Sequence, residues 1–351
     1  MATAVVLGGT GCVGSAVTRR LAESGWRVTC VSRGLREPAA DLSGLPVERR
    51  VLDRDAGAGL DEVVAPGTDL LVDVMARGLA DAEQVLAVAG RVGSVVAVST
   101  TGVYADARTG RRIMADLAGC EWPNPIPETQ PTVAPGEDDS SARKVSMERA
   151  LLERHPAPAT IVRAGAVYGP GNLWAREWPL VKRALDGRRL VVLAARGRSQ
   201  FHPVAAANVA ELVRLAAERP GRRVLNAGDA RAHTALDIVY AVADAMGWRP
   251  DVVLLDEPVS DDGPGLHPWA TAKPVVLDTS AARRELGFQD VVGLHEGMAA
   301  ACAWLRSATE GRDWTEVVPG AARLYGDLLD YAADDEAVRG LAPAPAGGAR
   351  G

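Results

Sequence analysis

No C-x-x-C pair links any of the four cysteines, Cys12, Cys30, Cys120 and Cys302. Their scatter argues against a disulfide scaffold and fits a reducing cytoplasm. Cys12 and Cys30 read as small core residues. The five histidines (His155, His202, His233, His267, His295) show no metal-ligand spacing, so no metal site is expected. No apolar run approaches a membrane span, and the first residues already form a strand where a signal peptide would have charged and apolar regions. Lys and Arg number 39 against 45 Asp and Glu, a net charge of −6 with no long basic block. Nucleic acid and anionic membrane surfaces are therefore not expected as main partners. What is present is 351 residues with a 47% hydrophobic content. That suffices for one large or two modest domains with a sizeable core, and a small molecule is the expected substrate.

The stretch A-V-V-L-G-G-T-G-C-V-G-S-A, residues 4–16, organises the chain. Residues 4–7 read as a buried strand, and Val13, Ala16, Val17 and Leu21 have the spacing of a helix with one apolar face. Gly8, Gly11 and Gly14 fall where strand becomes helix. A glycine-rich turn there permits unusual backbone angles, close approach to a pyrophosphate, and close packing of helix on strand. The phosphates then meet free N–H groups at the helix N-terminus. The motif predicts dinucleotide binding.

Further strands are expected at residues 27–32, 47–52, 69–74, 94–99 and 159–163, with helices near 79–91 and from about Asp138. This alternation predicts an α/β fold, a doubly wound parallel sheet of Rossmann type. An acidic residue at the end of the second strand would favour NAD; the chain has Ser32, Arg33 and nearby Arg36 instead. A hydroxyl and two cations suit a 2′-phosphate, so NADP is favoured, with NAD the alternative. Asp53, just past the third strand, is placed to meet an adenine edge. The fifth strand runs into Ser99-Thr100-Thr101-Gly102-Val103-Tyr104, and ligands of open α/β sheets sit at such carboxyl ends. Residues 105–135 are irregular and proline-rich, the length of a lid or substrate loop. Ser140, Lys144 and Glu148 share one helix face. After residue 171 the rhythm changes: helices are expected over 174–185, 204–218, 234–246, near 293–306 and over 320–333, with extended segments at 190–193, 224–226 and 252–255. The expected organisation is a dinucleotide-binding domain over 1–170 with a returning segment at 204–232. A smaller substrate lobe would take 171–203 and 233–310, and a C-terminal helix and disordered tail 311–351, the tail being Ala/Pro/Gly-rich from 342.

Residues 4–306 resemble the extended short-chain dehydrogenase/reductase superfamily, which contains nucleotide-sugar epimerases and dehydratases. The similarity rests on Gly8-Gly9-Thr10-Gly11-Cys12-Val13-Gly14, Val98 to Tyr104, Lys144 with Glu148, and Arg163 through Val167-Tyr168-Gly169-Pro170-Gly171. It continues in Gln200-Phe201-His202-Pro203-Val204, Asn208-Val209-Ala210, Leu277-Asp278-Thr279-Ser280 and Arg284-Glu285-Leu286-Gly287-Phe288. The resemblance implies a cofactor set of Gly8, Thr10, Gly11, Cys12, Val13, Gly14, Ser32, Arg33, Arg36, Asp53, Met75, Ala76, Lys144, Ala166 and Val167. It implies Thr100, Thr101, Ser140 and Lys144 as the catalytic positions, Thr101, Tyr168 and His202 as substrate contacts, and a homodimer.

One position departs from the family. Its catalytic helix carries Tyr-x-x-x-Lys; Lys144 keeps its place, but the tyrosine position is Ser140, and no tyrosine lies between Tyr104 and Tyr168. A phenol starts near pKa ~10, whereas an aliphatic hydroxyl is far too weak an acid for a lysine to activate. A positioned proton-transfer group contributes about 10²–10⁴-fold. Substitutes are water held by Ser140 and Lys144, Tyr168, Asp138 or Asp139, Cys120, His202, or a group on the substrate. The leading reading is an NADP(H)-dependent oxidoreductase of a small molecule, such as an imine or enone, and the Ala-rich composition is compatible with secondary metabolism. The alternatives are an epimerase, dehydratase or lyase using bound cofactor, and a non-catalytic NAD(P)-binding sensor or scaffold.

Overall fold

The computed structural model describes residues 1–113, 119–260 and 263–339; the tail expected at 342–351 lies outside them. The first half alternates β1 (Thr3–Leu7), α1 (Cys12–Glu23), β2 (Arg27–Ser32), β3 (Val47–Val51), β4 (Thr68–Asp73), α2 (Leu79–Ala87), β5 (Val92–Thr100), α3 (Ser140–Arg154) and β6 (Ala159–Ala164). Next come β7 (Ala166–Tyr168), α4 (Trp178–Leu185), β8 (Leu190–Leu193), β9 (Pro203–Ala205), α5 (Ala206–Glu218) and β10 (Arg223–Ala227). The chain continues through α6 (Ala235–Met246), β11 (Asp251–Leu254), α7 (Ser280–Leu286), α8 (Leu294–Thr309), α9 (Trp314–Val317), α10 (Pro319–Tyr325) and α11 (Tyr331–Val338).

Seven strands form one sheet in the order β10-β6-β5-β4-β1-β2-β3, every pairing parallel. This is the doubly wound α/β architecture read from the sequence. Its central strands are continuous apolar runs because helices cover both faces. On one face Val17 and Leu21 of α1 pack with Val209 and Val213 of α5. On the other, α2 and α3 contribute Val85, Met147 and Leu151. The edge strand β3 exposes Glu48, Arg49 and Arg50, charges that discourage pairing with another chain. The strand order reverses between β4 and β1, and the crevice at that reversal is where such sheets bind ligands.

A separate core holds Trp178, Trp269, Tyr104, Tyr168 and Met298, with the parallel pairs β8–β11 and β7–β9 beside it. Three expectations need correction here. The helix over 174–185 starts only at Trp178, because the Asn172 Oδ1 atom takes the Trp174 N–H and holds a turn. The helix over 204–218 is preceded by β9, whose Val204 pairs with Val167. The helix over 320–333 is broken into α10, a 3₁₀ turn at Gly326–Leu329, and α11, since the Asp330 carboxylate caps the N–H groups of Ala332 and Ala333 and restarts the helix.

Glu177, at the start of α4, is fully buried, and neither carboxyl oxygen meets a donor from another residue. Burial raises its pKa to about 7, against the opposing pull of its own backbone N–H and of Arg176. The groups that feel its charge are Cys12, Tyr168, Cys302 and Tyr325. A carboxyl raised in the folded state binds its proton more tightly there than when unfolded. Its contribution is therefore most favourable below the unfolded value and is lost as pH rises towards 7, a penalty of roughly 3 kcal/mol. Glu177→Gln is expected to be more stable than the parent at pH 8 and nearly equal at pH 4.5. Thermal denaturation at the two pH values checks this; parallel shifts at both would contradict it.

Candidate functional site

The turn after β1 is built by backbone contacts that leave no room for side chains. Gly8 has φ +80° and, with Gly9, donates its N–H to the Val31 carbonyl at 2.9 and 3.0 Å. A Cβ on Gly14 would lie 2.0 Å from the Gly8 oxygen, so α1 packs onto β1 only with glycine there. Gly11 is less constrained, since its Cβ would stand 3.6 Å from the same oxygen. Gly11 is the N-cap of α1 but offers no capping side chain, and no acidic residue occupies the first turn. The N–H groups of Cys12, Val13 and Gly14 are thus available to an anion. The cradle fits a dinucleotide pyrophosphate.

This turn opens into a cavity of about 880 Å³. Of the cofactor residues named from the sequence, Gly8, Thr10, Gly11, Cys12, Ser32, Arg33, Arg36, Asp53 and Met75 line it. Val13, Gly14, Ala76, Lys144, Ala166 and Val167 do not: Gly14 and Ala76 are buried behind the turn, and Ala166 and Val167 lie in β7. Ser32 accepts the Gly34 N–H, and Asp53 accepts that of Asp55. Asp55, Arg77 and Arg54 line the cavity, and with the buried Asp81 and Asp73 behind them they form a chain of ion pairs: Asp55–Arg77, Arg77–Asp81, Asp81–Arg54 and Arg54–Asp73. Arg54 thereby ties the ends of β3 and β4 together. Glycines also matter on the far side: a Cβ on Gly171 would stand 2.4 Å from Ala39 and 3.4 Å from the Cys12 nitrogen, so two loops meet over the start of α1.

The catalytic positions implied by the resemblance lie at the ends of β5 and α3. Thr100 is partly exposed and accepts the Gly102 N–H, while Thr101 is buried. Lys144 donates to the Val98 carbonyl at 2.9 Å. Burial pushes its ammonium below the ordinary value, against the pull of Asp73 and Glu148. Ser140 is the first residue of α3 and is exposed; the hydroxyl facing inward is that of Ser141, with its Oγ 3.6 Å from where a Cβ on Gly102 would be. Glu148 shares the helix but not the exposure. It accepts Ser99 Oγ at 2.5 Å and pairs with Arg163 at 2.6 Å, locking α3 to β5 and β6.

Two residues expected to contact substrate, Tyr168 and His202, are buried and engaged with protein groups. Tyr168 is fully buried and donates to Asp229 at 2.9 Å, and burial beside that carboxylate raises its phenol well above the ordinary value. His202 is buried between the Asp229 carbonyl, 2.8 Å from Nε2, and the Leu277 N–H, 3.0 Å from Nδ1. Burial lowers its pKa, and with both nitrogens engaged it is a neutral structural side chain. Asp229 also holds Asn208 and the Ala205 N–H, which explains why these polar residues recur in one place. Of the other substitutes for the phenol, Asp139 caps α3 and Cys120 is buried against the Arg112 carbonyl. Asp138 and the Ser140–Lys144 pair remain exposed or partly exposed. Sequence reasoning missed Trp174, Trp304, Arg312 and Glu316, all of which line the cavity. Their spacing within the C-terminal half gave no sign that the chain returns to the crevice.

Among the described residues no helix is long and apolar enough to cross a membrane, and no three metal-binding side chains gather. The family model for the NAD-dependent epimerase/dehydratase family matches residues 4–228. No curated protein matches the sequence. Among solved structures, MoeE5 in complex with UDP-glucuronic acid and NAD is similar at 20% identity, covering 88% of this chain and 99% of that one, with a TM-score of 0.62. The dTDP-glucose 4,6-dehydratase of Bacillus anthracis, in complex with NAD, is 15% identical over 89% of this chain and 99% of its own, with a TM-score of 0.65. The UDP-N-acetylglucosamine 4-epimerase of Bacillus cereus is 16% identical over 87% and 100%, with a TM-score of 0.63. At these identities the likeness is one of fold.

The steric account separates two glycines that look alike in the motif. Gly14→Ala is expected to weaken binding of a nicotinamide dinucleotide more than tenfold and to lower stability by about 1–3 kcal/mol. Gly11→Ala is expected to change both little. Fluorescence titration and thermal denaturation of the two variants check this, and equal behaviour would contradict the packing argument.

Proposed function

The chain belongs to the NAD-dependent epimerase/dehydratase family, and from that premise we propose an enzyme of epimerase/dehydratase type that keeps a nicotinamide dinucleotide bound while it transforms a hydroxyl-bearing small molecule. The observation that carries this reading is the glycine turn: its uncapped helix start opens into a cavity also lined by Arg33, Arg36 and Asp53. Bound there, the dinucleotide supplies reversible hydride exchange with a substrate carbon. Thr100 and Thr101 would hold the substrate oxygen. Lys144 would hold ribose hydroxyls once it exchanges its bond to Val98 for one to the cofactor.

Net reduction of an imine or enone is the second reading, favoured by the missing phenol on α3. An acceptor that is already protonated or activated needs least help from Ser140. The similar structure MoeE5 holds a UDP-sugar and NAD. Arg33 and Arg36, exposed at the end of β2 with no acidic residue at that strand end, support NADP for this chain.

Two measurements test the proposal. Arg33→Ala is expected to weaken NADPH about fivefold to tenfold and NADH less than twofold, the size of a charge-assisted hydrogen bond at an exposed site. Equal effects would remove the 2′-phosphate assignment. Absorbance at the reduced-nicotinamide band then separates the two reactions. An epimerase or dehydratase turns over UDP-glucose or a related nucleotide sugar with no net change, whereas a reductase consumes NADPH with an imine or enone. Tight cofactor binding with no turnover of any of these would favour a sensor.

A further inference from the structure

We propose that the C-terminal segment completes the dinucleotide site and that Arg312 is a phosphate ligand reaching it from outside the nucleotide-binding sheet. The inference rests on the dinucleotide reading above. The wall opposite the glycine turn is made by the end of α8 and by α9. Trp304 and Ala308, four apart, share one face of α8, and Arg312 follows the turn at Glu310 and Gly311 that ends the helix; all three line the cavity.

This segment is fixed against the rest of the molecule. The Ala321 N–H donates to the Leu173 carbonyl at 3.0 Å. Gly320 lies so close under the Trp174 indole that a Cβ there would be 2.6 Å from the ring. Trp314 packs on Trp178 with ring centroids 5.4 Å apart, and Val317, Val318 and Ala321 are buried. Arg312 is therefore an exposed side chain on an anchored backbone.

Its guanidinium donates to the Ala308 carbonyl in the last turn of α8 at 3.4 Å. The other cations of the cavity divide into two kinds. Arg54 and Arg77 are paired with Asp73, Asp81 and Asp55, whereas Arg33 and Arg36 are exposed after β2 and form no ion pair among the described residues. Arg312 is of the second kind: among the described residues no ion pair joins it to a carboxylate, neighbouring Glu316 included. A dinucleotide carries its charge on the pyrophosphate and, in NADP, on the ribose phosphate. Cations on both walls with free amides between them match a ligand that is anionic along its length. A ligand held from both sides also links the sheet to the C-terminal lobe, so binding stabilises their contact by mass action.

Titration of NADPH and NADH into the full-length parent, Arg312→Ala and Arg312→Lys tests the proposal, with melting temperatures of the unliganded proteins as a check on folding. Arg312→Ala is expected to weaken binding at least fivefold, Arg312→Lys less, and the salt dependence of binding is expected to fall with the alanine variant. Weakening of both dinucleotides alike places Arg312 on the pyrophosphate, and weakening of NADPH alone places it on the 2′-phosphate; either supports the proposal. Dissociation constants for both within twofold of the parent overturn it while leaving the dinucleotide reading intact. A parent protein that binds neither NADPH nor NADH overturns both.

Discussion

Gly14 on α1 and the carbonyl of Gly8 stand closer than any Cβ would permit, and the rest of the site follows from that contact. It seats the helix start against the end of β1, while the Val31 carbonyl takes the N–H groups of both Gly8 and Gly9 and fixes the turn to β2. The first-turn amides of α1 are left without a protein acceptor at the point where the strand order reverses. A low-dielectric crevice with free donors and the positive end of a helix dipole is an anion site before any side chain is considered.

Most of the polar residues behind this crevice serve to hold elements together. Glu148, Arg163 and Ser99 join α3 to β5 and β6 in a buried cluster where the loss of one member would strand a charge. Asp229 gathers Tyr168, Asn208 and His202, and burial raises its carboxyl to about 6. Arg54, between Asp73 and Asp81, does the same for the wall of the cavity. These clusters account for residues that chemistry alone would have nominated for catalysis.

The second lobe has a core of its own. Its core is aromatic, with Trp178, Trp269 and Tyr168, and it carries Glu177 as a buried carboxyl without a donor. The segment beyond α8 folds back over the dinucleotide crevice, so the two walls of one cavity come from parts of the chain some 300 residues apart. α3 carries no tyrosine, and Ser140 at its start is exposed.

The sequence by itself determined the parallel sheet, because Val-rich runs alternating with amphipathic helices have only one well-packed arrangement, and it determined the glycine turn, because no other residue fits a positive φ at Gly8 and the contact at Gly14. It also places Ser140 four residues before Lys144, with no tyrosine between Tyr104 and Tyr168. Only the tertiary structure decided which polar residues are free. Tyr168 and His202 occur in motifs that suggest a cleft, yet both are sealed around Asp229, since their partners lie 61 and 27 residues away. The same holds for Trp304 and Arg312, which line the crevice where α10 packs on Leu173 and Trp174. Local pattern records which face of an element is apolar; which distant group it meets is a property of packing, and that is fixed only when the lobes close.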